Sequence, residues 1–206
     1  MAQHAFFFDG TRCSGCKTCV YACKDKKNLK AGSTYRHVYE YTGGQTRKDE
    51  QGICVSSCFS YSLSMACNHC ESSICVQVCP TGAMHKEEKY GVVLVDESRC
   101  VGCGYCHMAC PYNAPHIDAI SGHSVKCDAC IDLLNKGEKP VCVLSCPARA
   151  LKFGEAGALQ TLGQRAAIAP LPDPKYTQPN LFIKPSRDTR PYGSQDGVIA
   201  NPQEVK

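Results

Sequence analysis

Hydrophobic positions along this chain come in short alternating runs separated by glycine, proline and cysteine. Residues 5–8 (AFFF) read as a short strand feeding a cysteine-rich loop, and residues 91–95 (GVVLV) do the same before a second such loop. Residues 83–86 and 91–95 together predict a hairpin. Residues 36–41 and 59–65 alternate well enough to predict a longer one, with Gly43-Gly44 to Gly52 as its irregular tip. Residues 128–135 read as a short helix, with Gly137 just beyond as its stop signal. No apolar run approaches the ~18 residues that a membrane span requires, so the chain is not expected to cross a bilayer by itself.

Four cysteine groups lie between these elements. They are Cys13-x2-Cys16-x2-Cys19-x3-Cys23, Cys67-x2-Cys70-x4-Cys75-x3-Cys79, Cys100-x2-Cys103-x2-Cys106-x3-Cys110 and Cys127-x2-Cys130-x11-Cys142-x3-Cys146. Each opens on a two-residue gap and closes on a three-residue gap, and only the middle gap varies, which makes an internal repeat. A C-x2-C-x2-C loop curls around a cubane so that three thiolates meet three iron corners. The fourth cysteine lies a turn further along the following helix, points away from its own loop and ligates the other cluster of a pair. Pro80, Pro111 and Pro147 follow the fourth cysteine and end the helix, while the first group has Lys24 there. Cross-ligation then predicts four sets: Cys13, Cys16, Cys19 with Cys146; Cys67, Cys70, Cys75 with Cys110; Cys100, Cys103, Cys106 with Cys79; and Cys127, Cys130, Cys142 with Cys23. The alternative, one cluster per group, sits less well with the geometry of a three-residue gap.

Composition narrows the chemistry. Eighteen cysteines in 206 residues imply either disulfides or metal. The start, MAQHAFFFDG, has no basic region, long apolar stretch or small-residue cleavage site, so folding is expected in reducing cytosol, where thiols stay free. Structural zinc also uses C-x2-C pairs, but it needs neither a third cysteine two residues on nor a fourth followed by proline. The formal charge of +4 counts cysteines as neutral. Each oxidised cubane with its four thiolates adds −2, and four of them bring the total to about −4. Lys and Arg are scattered, with no block or aromatic-interleaved stripe, so no nucleic-acid partner is expected. Nothing in the sequence marks a nucleophile or an acid–base pair, and no catalytic residue is expected.

Other residues are weaker candidates. Cys54 and Cys58 fall outside the groups and, lacking a third partner, read as buried or free thiols. His37, His69, His85, His107, His116 and His123 read as surface or hydrogen-bonding residues, since cysteine fills every ligand position. Lys17, Lys24, Arg99 and Lys126 flank ligands, where positive charge raises a cluster's potential, although an ordinary solvated side chain is the default. Tyr105, His107 and Tyr112 are candidates, by position alone, for contact with a neighbouring subunit or quinol site. After about Ala167 come seven of the twelve prolines: Pro170, Pro172, Pro174, Pro179, Pro185, Pro191 and Pro202. They exclude a long helix and predict an extended strap along a partner, with a disordered tail as the alternative.

The segments FFFDGTRCSGCKTCVYACKD, SCFSYSLSMACNHCESSICVQVCPTGAMHK, VDESRCVGCGYCHMACPYNAP and KCDACIDLLNKGEKPVCVLSCPARALKFG resemble the four-cluster iron–sulfur subunits of membrane-bound molybdenum oxidoreductases. YEYTGG, APLPDPKYTQPNLFIKP and the terminal ANPQEV are most similar to the branch that serves anaerobic dimethyl sulfoxide reductase as its B subunit. The resemblance implies an α+β protein of two entwined bacterial ferredoxin-like two-cluster modules with an extended proline-rich tail. Residues 1–60 and 112–166 would form the outer module, 61–111 the inner one and 167–206 the strap. It also implies four [4Fe–4S] clusters, since Cys103 stands where some relatives carry an aromatic residue and hold a three-iron cluster. Its implied partners are a molybdopterin-containing catalytic subunit and an integral membrane anchor that oxidises quinol. The implied place is the periplasmic face of a bacterial inner membrane, reached with the catalytic partner after clusters are inserted in the cytoplasm. Equivalent subunits of formate, thiosulfate or polysulfide enzymes, a soluble polyferredoxin and a zinc-binding structural protein are the alternatives.

Overall fold

The computed structural model describes residues 2–205 as short helices and small sheets. The run AFFF is buried throughout because the strand that contains it, His4–Asp9, lies inside a sheet rather than at its edge. Leu151–Glu155 pairs with it antiparallel, and Leu181–Lys184 pairs with it parallel on the other side. Gln164–Arg165 completes the sheet. An interior strand with both faces covered carries a continuous apolar run, as this one does. The pairing draws the ends of the chain together, and the helix Thr18–Lys26 packs on the helix Val141–Leu144. Cysteine groups more than a hundred residues apart thereby become neighbours.

The second sheet holds the long hairpin. Arg36–Gly43 pairs with Phe59–Ala66 from Arg36↔Ala66 to Gly43↔Phe59. The tip is more regular than its sequence suggests, since Thr46–Lys48 and Cys54–Ser56 form an exposed hairpin of their own. Strand Phe59–Ala66 runs across residues 60 and 61, and so ties the proposed outer module to the inner one. Met84–Lys86 and Val93–Val95 pair as their alternation predicts. The helix expected over 128–135 shrinks to Ile131–Leu134, because Ala129 and Cys130 sit in the left-handed region with φ 56° and 52°.

The C-terminal segment is extended, but it lies along this same polypeptide, where the sequence suggested a strap along a partner. Leu181, Phe182 and Ile183 are among the most buried residues of the protein. Further on, Gly197–Ile199 adds to the long hairpin beside Tyr41–Gly43. A Cβ on Gly43 would collide there with the backbone of Asp196 and Gly197, so the crossing requires glycine. Tyr61 donates its hydroxyl to Ala169 O at 2.8 Å, and Lys17 pairs with Glu204. Among the described residues no helix is long and apolar enough to cross a membrane.

Candidate metal centres

One backbone turn builds all four cysteine loops. The residue just before the second cysteine of each group has a positive φ: Gly15 (71°), His69 (44°), Gly102 (68°) and Ala129 (56°). Glycine adopts this freely, while for His69 and Ala129 it costs about 1–2 kcal/mol each, which the surrounding packing must offset. A left-handed residue inside a tight loop turns successive N–H groups toward a common concavity, the arrangement that receives an anionic cluster. The third cysteine then rides on a short helix in every group: Thr18–Lys26, Ile74–Gln77, Tyr105–Ala109 and Val141–Leu144. Where proline follows the fourth cysteine, the chain turns through a second positive φ at Gly82, Asn113 and Arg149. Where Lys24 stands instead, the helix continues to Lys26.

Side chains of different groups meet. Cys13, Cys16 and Cys19 line one cavity together with Cys146. Cys100, Cys103 and Cys106 line another together with Cys79. Burial pushes Cys70 and Cys75 up to about 12, and the nearness of Cys67 and Cys110, whose negative charge would oppose theirs, adds to the rise in both. Burial likewise pushes Cys23 up to about 12, with the nearness of Cys142 and Cys130 adding, and Cys127 is raised by its own burial and then by Cys23. Thiols this reluctant to ionise stay protonated at neutral pH until a metal displaces the proton. Among the described residues no three of His, Cys, Asp and Glu converge closely enough to grip a single metal ion. A cubane spreads its four thiolates over four corners, so the two cavities each ringed by four cysteines suit it, and their donor sets fit [4Fe–4S].

Contacts between cysteines link the four expected sets in series. Cys79 and Cys106 share a small packed cluster with Cys75. Cys67 packs on Cys127. The helix that carries Cys19 packs on the helix that carries Cys142. At the two ends of this series Cys103 and Cys16 are exposed, and no other cysteine of the four groups is. Hydrogen-bond donors surround the sulfurs: backbone N–H groups of Met84, Ser124, Ala129 and Ala150 lie 3.3–3.4 Å from Cys79, Cys100, Cys127 and Cys146 respectively. Such donors favour the more negative, reduced cluster.

Residues 58–156 match the 4Fe-4S dicluster domain. The chain is 52% identical over 204 residues to the B subunit of anaerobic dimethyl sulfoxide reductase of Escherichia coli (strain K12), which covers 98% of both proteins. It is 50% identical over 206 residues to the subunit of the same name from Haemophilus influenzae, covering 100% of both. It belongs to the dimethyl sulfoxide reductase B-subunit family. As a member it is an iron–sulfur electron-transfer subunit that carries [4Fe–4S] clusters, and not a catalytic subunit. The thiosulfate reductase electron transfer subunit PhsB of Salmonella typhi is 40% identical over 153 residues, 74% of this chain and 76% of that one.

The residues around the cysteines of this B-subunit protein sort by what they touch. Lys17 is spent on Glu40 and Glu204, Lys24 on the carbonyls of Lys30 and Ser33, and Arg99 on Thr81 O. Lys126 alone of the four is buried, donating to the carbonyls of Val93 and Cys127. His85, His107 and His123 bond to the carbonyls of Ala83, Pro115 and Cys100, while His37 and His116 meet Thr34 and Ser33. His69 is fully buried, and its Nδ1 accepts from Val93 N–H. Burial and the Lys126 charge hold it well below the usual histidine range, hence neutral. Tyr112 is buried and so is no partner contact, whereas Tyr105 and His107 are exposed. Cys54 and Cys58 are exposed on the outer hairpin, not buried. The residue that sequence reasoning missed is Arg36, buried at the start of the long hairpin. Its signal was present, for Arg36 is in phase with the inward-facing Val38.

Proposed function

We propose that this subunit holds four [4Fe–4S] clusters and conducts electrons from an integral membrane, quinol-oxidising anchor subunit to a molybdopterin-containing catalytic subunit that reduces dimethyl sulfoxide or a related S- or N-oxide. The ligand sets are Cys13, Cys16, Cys19, Cys146; Cys67, Cys70, Cys75, Cys110; Cys100, Cys103, Cys106, Cys79; and Cys127, Cys130, Cys142, Cys23. The carrying observation is the series of four cysteine sets whose ends alone reach the surface, through Cys103 and Cys16. Each bound cluster supplies one-electron chemistry, its core alternating between 2+ and 1+.

The polypeptide does the rest. Its loops fix the cysteines in place, and its packed interior shields the two middle sets from water. Val101, Tyr105 and Met108, all exposed and within five residues of Cys103, offer apolar surface that a partner subunit would cover. The entwining of an outer module (1–60 with 112–166) around an inner one (61–111), closed by 167–206, follows from the cross-ligation. Dimethyl sulfoxide is favoured over thiosulfate because the matches at about half identity run the whole chain, tail included, while the PhsB match covers 74% of it. The expected place is the periplasmic face of the inner membrane, reached on a catalytic partner with a twin-arginine signal. Deleting that signal should leave this chain in the cytoplasm.

The decisive test uses the intact complex purified without oxygen. It should contain about sixteen irons and as many acid-labile sulfides in this subunit. A reduced quinol should bring up the reduced-cluster EPR signals, and dimethyl sulfoxide should abolish them. Zinc without sulfide, or clusters that neither compound affects, would overturn the proposal.

A further inference from the structure

Arg36 is 2% exposed, yet it forms none of the ion pairs found among the described residues. Its Nη1 donates to Ser64 Oγ at 3.1 Å, while Nε and Nη2 have no partner at all. Ser64 Oγ in turn stands 3.3 Å from Cys19 Sγ. Beneath the guanidinium lies the ring of Phe6, at 4.9 Å. A guanidinium does not deprotonate in proteins, and an isolated buried charge is among the costliest features a fold can carry. An anion must therefore face it. Burial opposes its charge, and Cys142, Cys19, Cys127 and Cys23 favour it once metal binding makes them thiolates; Arg36 pairs across the hairpin with Ala66, which packs on Cys127. These cysteines belong to the first and fourth groups, whichever way their clusters are ligated.

We propose that Arg36 is a fixed internal cation that faces the two clusters of the first and fourth cysteine groups, holds their reduced forms and so sets their potentials. The inference rests on the four-cluster reading above. When one electron arrives from a neighbouring cluster, that neighbour is oxidised by one, and the charge before Arg36 goes from −2 to −3. Arg36 takes up and releases no proton in this step, because a guanidinium does not deprotonate in proteins. Arg36 attracts the −3 state more strongly than the −2 state, and the low dielectric of its buried site keeps that difference from being screened away. Its two unpartnered nitrogens, Nε and Nη2, point to direct donation toward cluster or cysteine sulfur once the clusters are in place. Lys126, the other buried cation, raises no such claim for the second group, since both of its hydrogen bonds go to carbonyls.

The test compares Arg36→Met and Arg36→Lys in the intact complex, by redox-poised EPR with iron and sulfide analysis. Arg36→Met should keep its iron, while the reduced-to-oxidised ratio at fixed poise falls about tenfold or more in two clusters, ~59 mV for one electron. The other two clusters should not move, and Arg36→Lys should stay within a few-fold of wild type. A fully loaded Arg36→Met with unchanged potentials, or with all four shifted alike, would overturn the role. If Arg36→Met loses iron, Arg36→Lys decides: loading with near-wild-type potentials supports the fixed charge, and loss of the same clusters contradicts it. A wild-type complex without four clusters would instead refute the reading on which this rests.

Discussion

The hydroxyl of Ser124 lies 3.2 Å from the sulfur of Cys106, while the N–H of the same residue donates to Cys100 at 3.3 Å. One serine thus serves two cysteines of a single set. Once Cys106 is a metal-bound thiolate, the serine must be the donor, and its bond strengthens as the cluster gains an electron. Ser124→Ala keeps the N–H contact and removes only the hydroxyl. Losing about 1 kcal/mol of differential hydrogen bonding corresponds to roughly 40 mV. The cluster of the third group should fall in potential by that amount, with iron content unchanged; an unaltered potential would contradict the contact.

The tail offers a stability test. Phe182 is 1% exposed and packs with Ala5, Phe7 and Leu159, and the Arg165 guanidinium lies 5.3 Å from its ring. Phe182→Ala should cost about 3–5 kcal/mol, a fall on the order of 10 °C in the temperature at which the iron–sulfur absorbance bleaches. A disordered tail, or a strap laid only on a partner, would leave that temperature unchanged.

Cys54 and Cys58 lie apart from the cluster groups and are exposed. Hydroxyls of Ser56 and then Thr46 hold the Cys58 thiol below its ordinary range. A lowered pKa means more thiolate at neutral pH, so Cys58 should alkylate first, with its advantage fading as pH rises past about 9. Mass spectrometry of the loaded protein should find modification at these two cysteines and no others. Rapid labelling of cysteines within the four groups, before iron is removed, would contradict their assignment as ligands.

What could be read in the sequence was what is local. The cysteine gaps encode a loop, a helical turn and a stop within a few residues of one another, and two-residue alternation predicts the pairings of Arg36–Gly43 and Met84–Lys86. The tail was hidden because LFIK is short, flanked by prolines, and has its partner strand His4–Asp9 at the opposite end of the chain. The helix at 128–135 was overdrawn because the left-handed Ala129 and Cys130 answer to the cysteine loop and not to local propensity. Arg36 was passed over for another reason. A charged residue in the apolar phase of a strand has meaning only once the thiols beneath it are known.

The entwined arrangement depends most on which cysteines share a cluster. Cys23→Ser, Cys13→Ser and Cys127→Ser in the intact complex, compared by redox-poised EPR, decide it. Serine keeps the volume but offers a harder oxygen ligand, so the affected cluster shifts in potential or loses iron. Each cluster has its own potential and its own coupling to its neighbour, so the three spectra can be told apart. Cys23→Ser should perturb the same cluster as Cys127→Ser and leave the Cys13 cluster intact. A Cys23→Ser spectrum that coincides with Cys13→Ser, with the Cys127 cluster untouched, would show that each group holds its own cluster and would contradict the entwined arrangement.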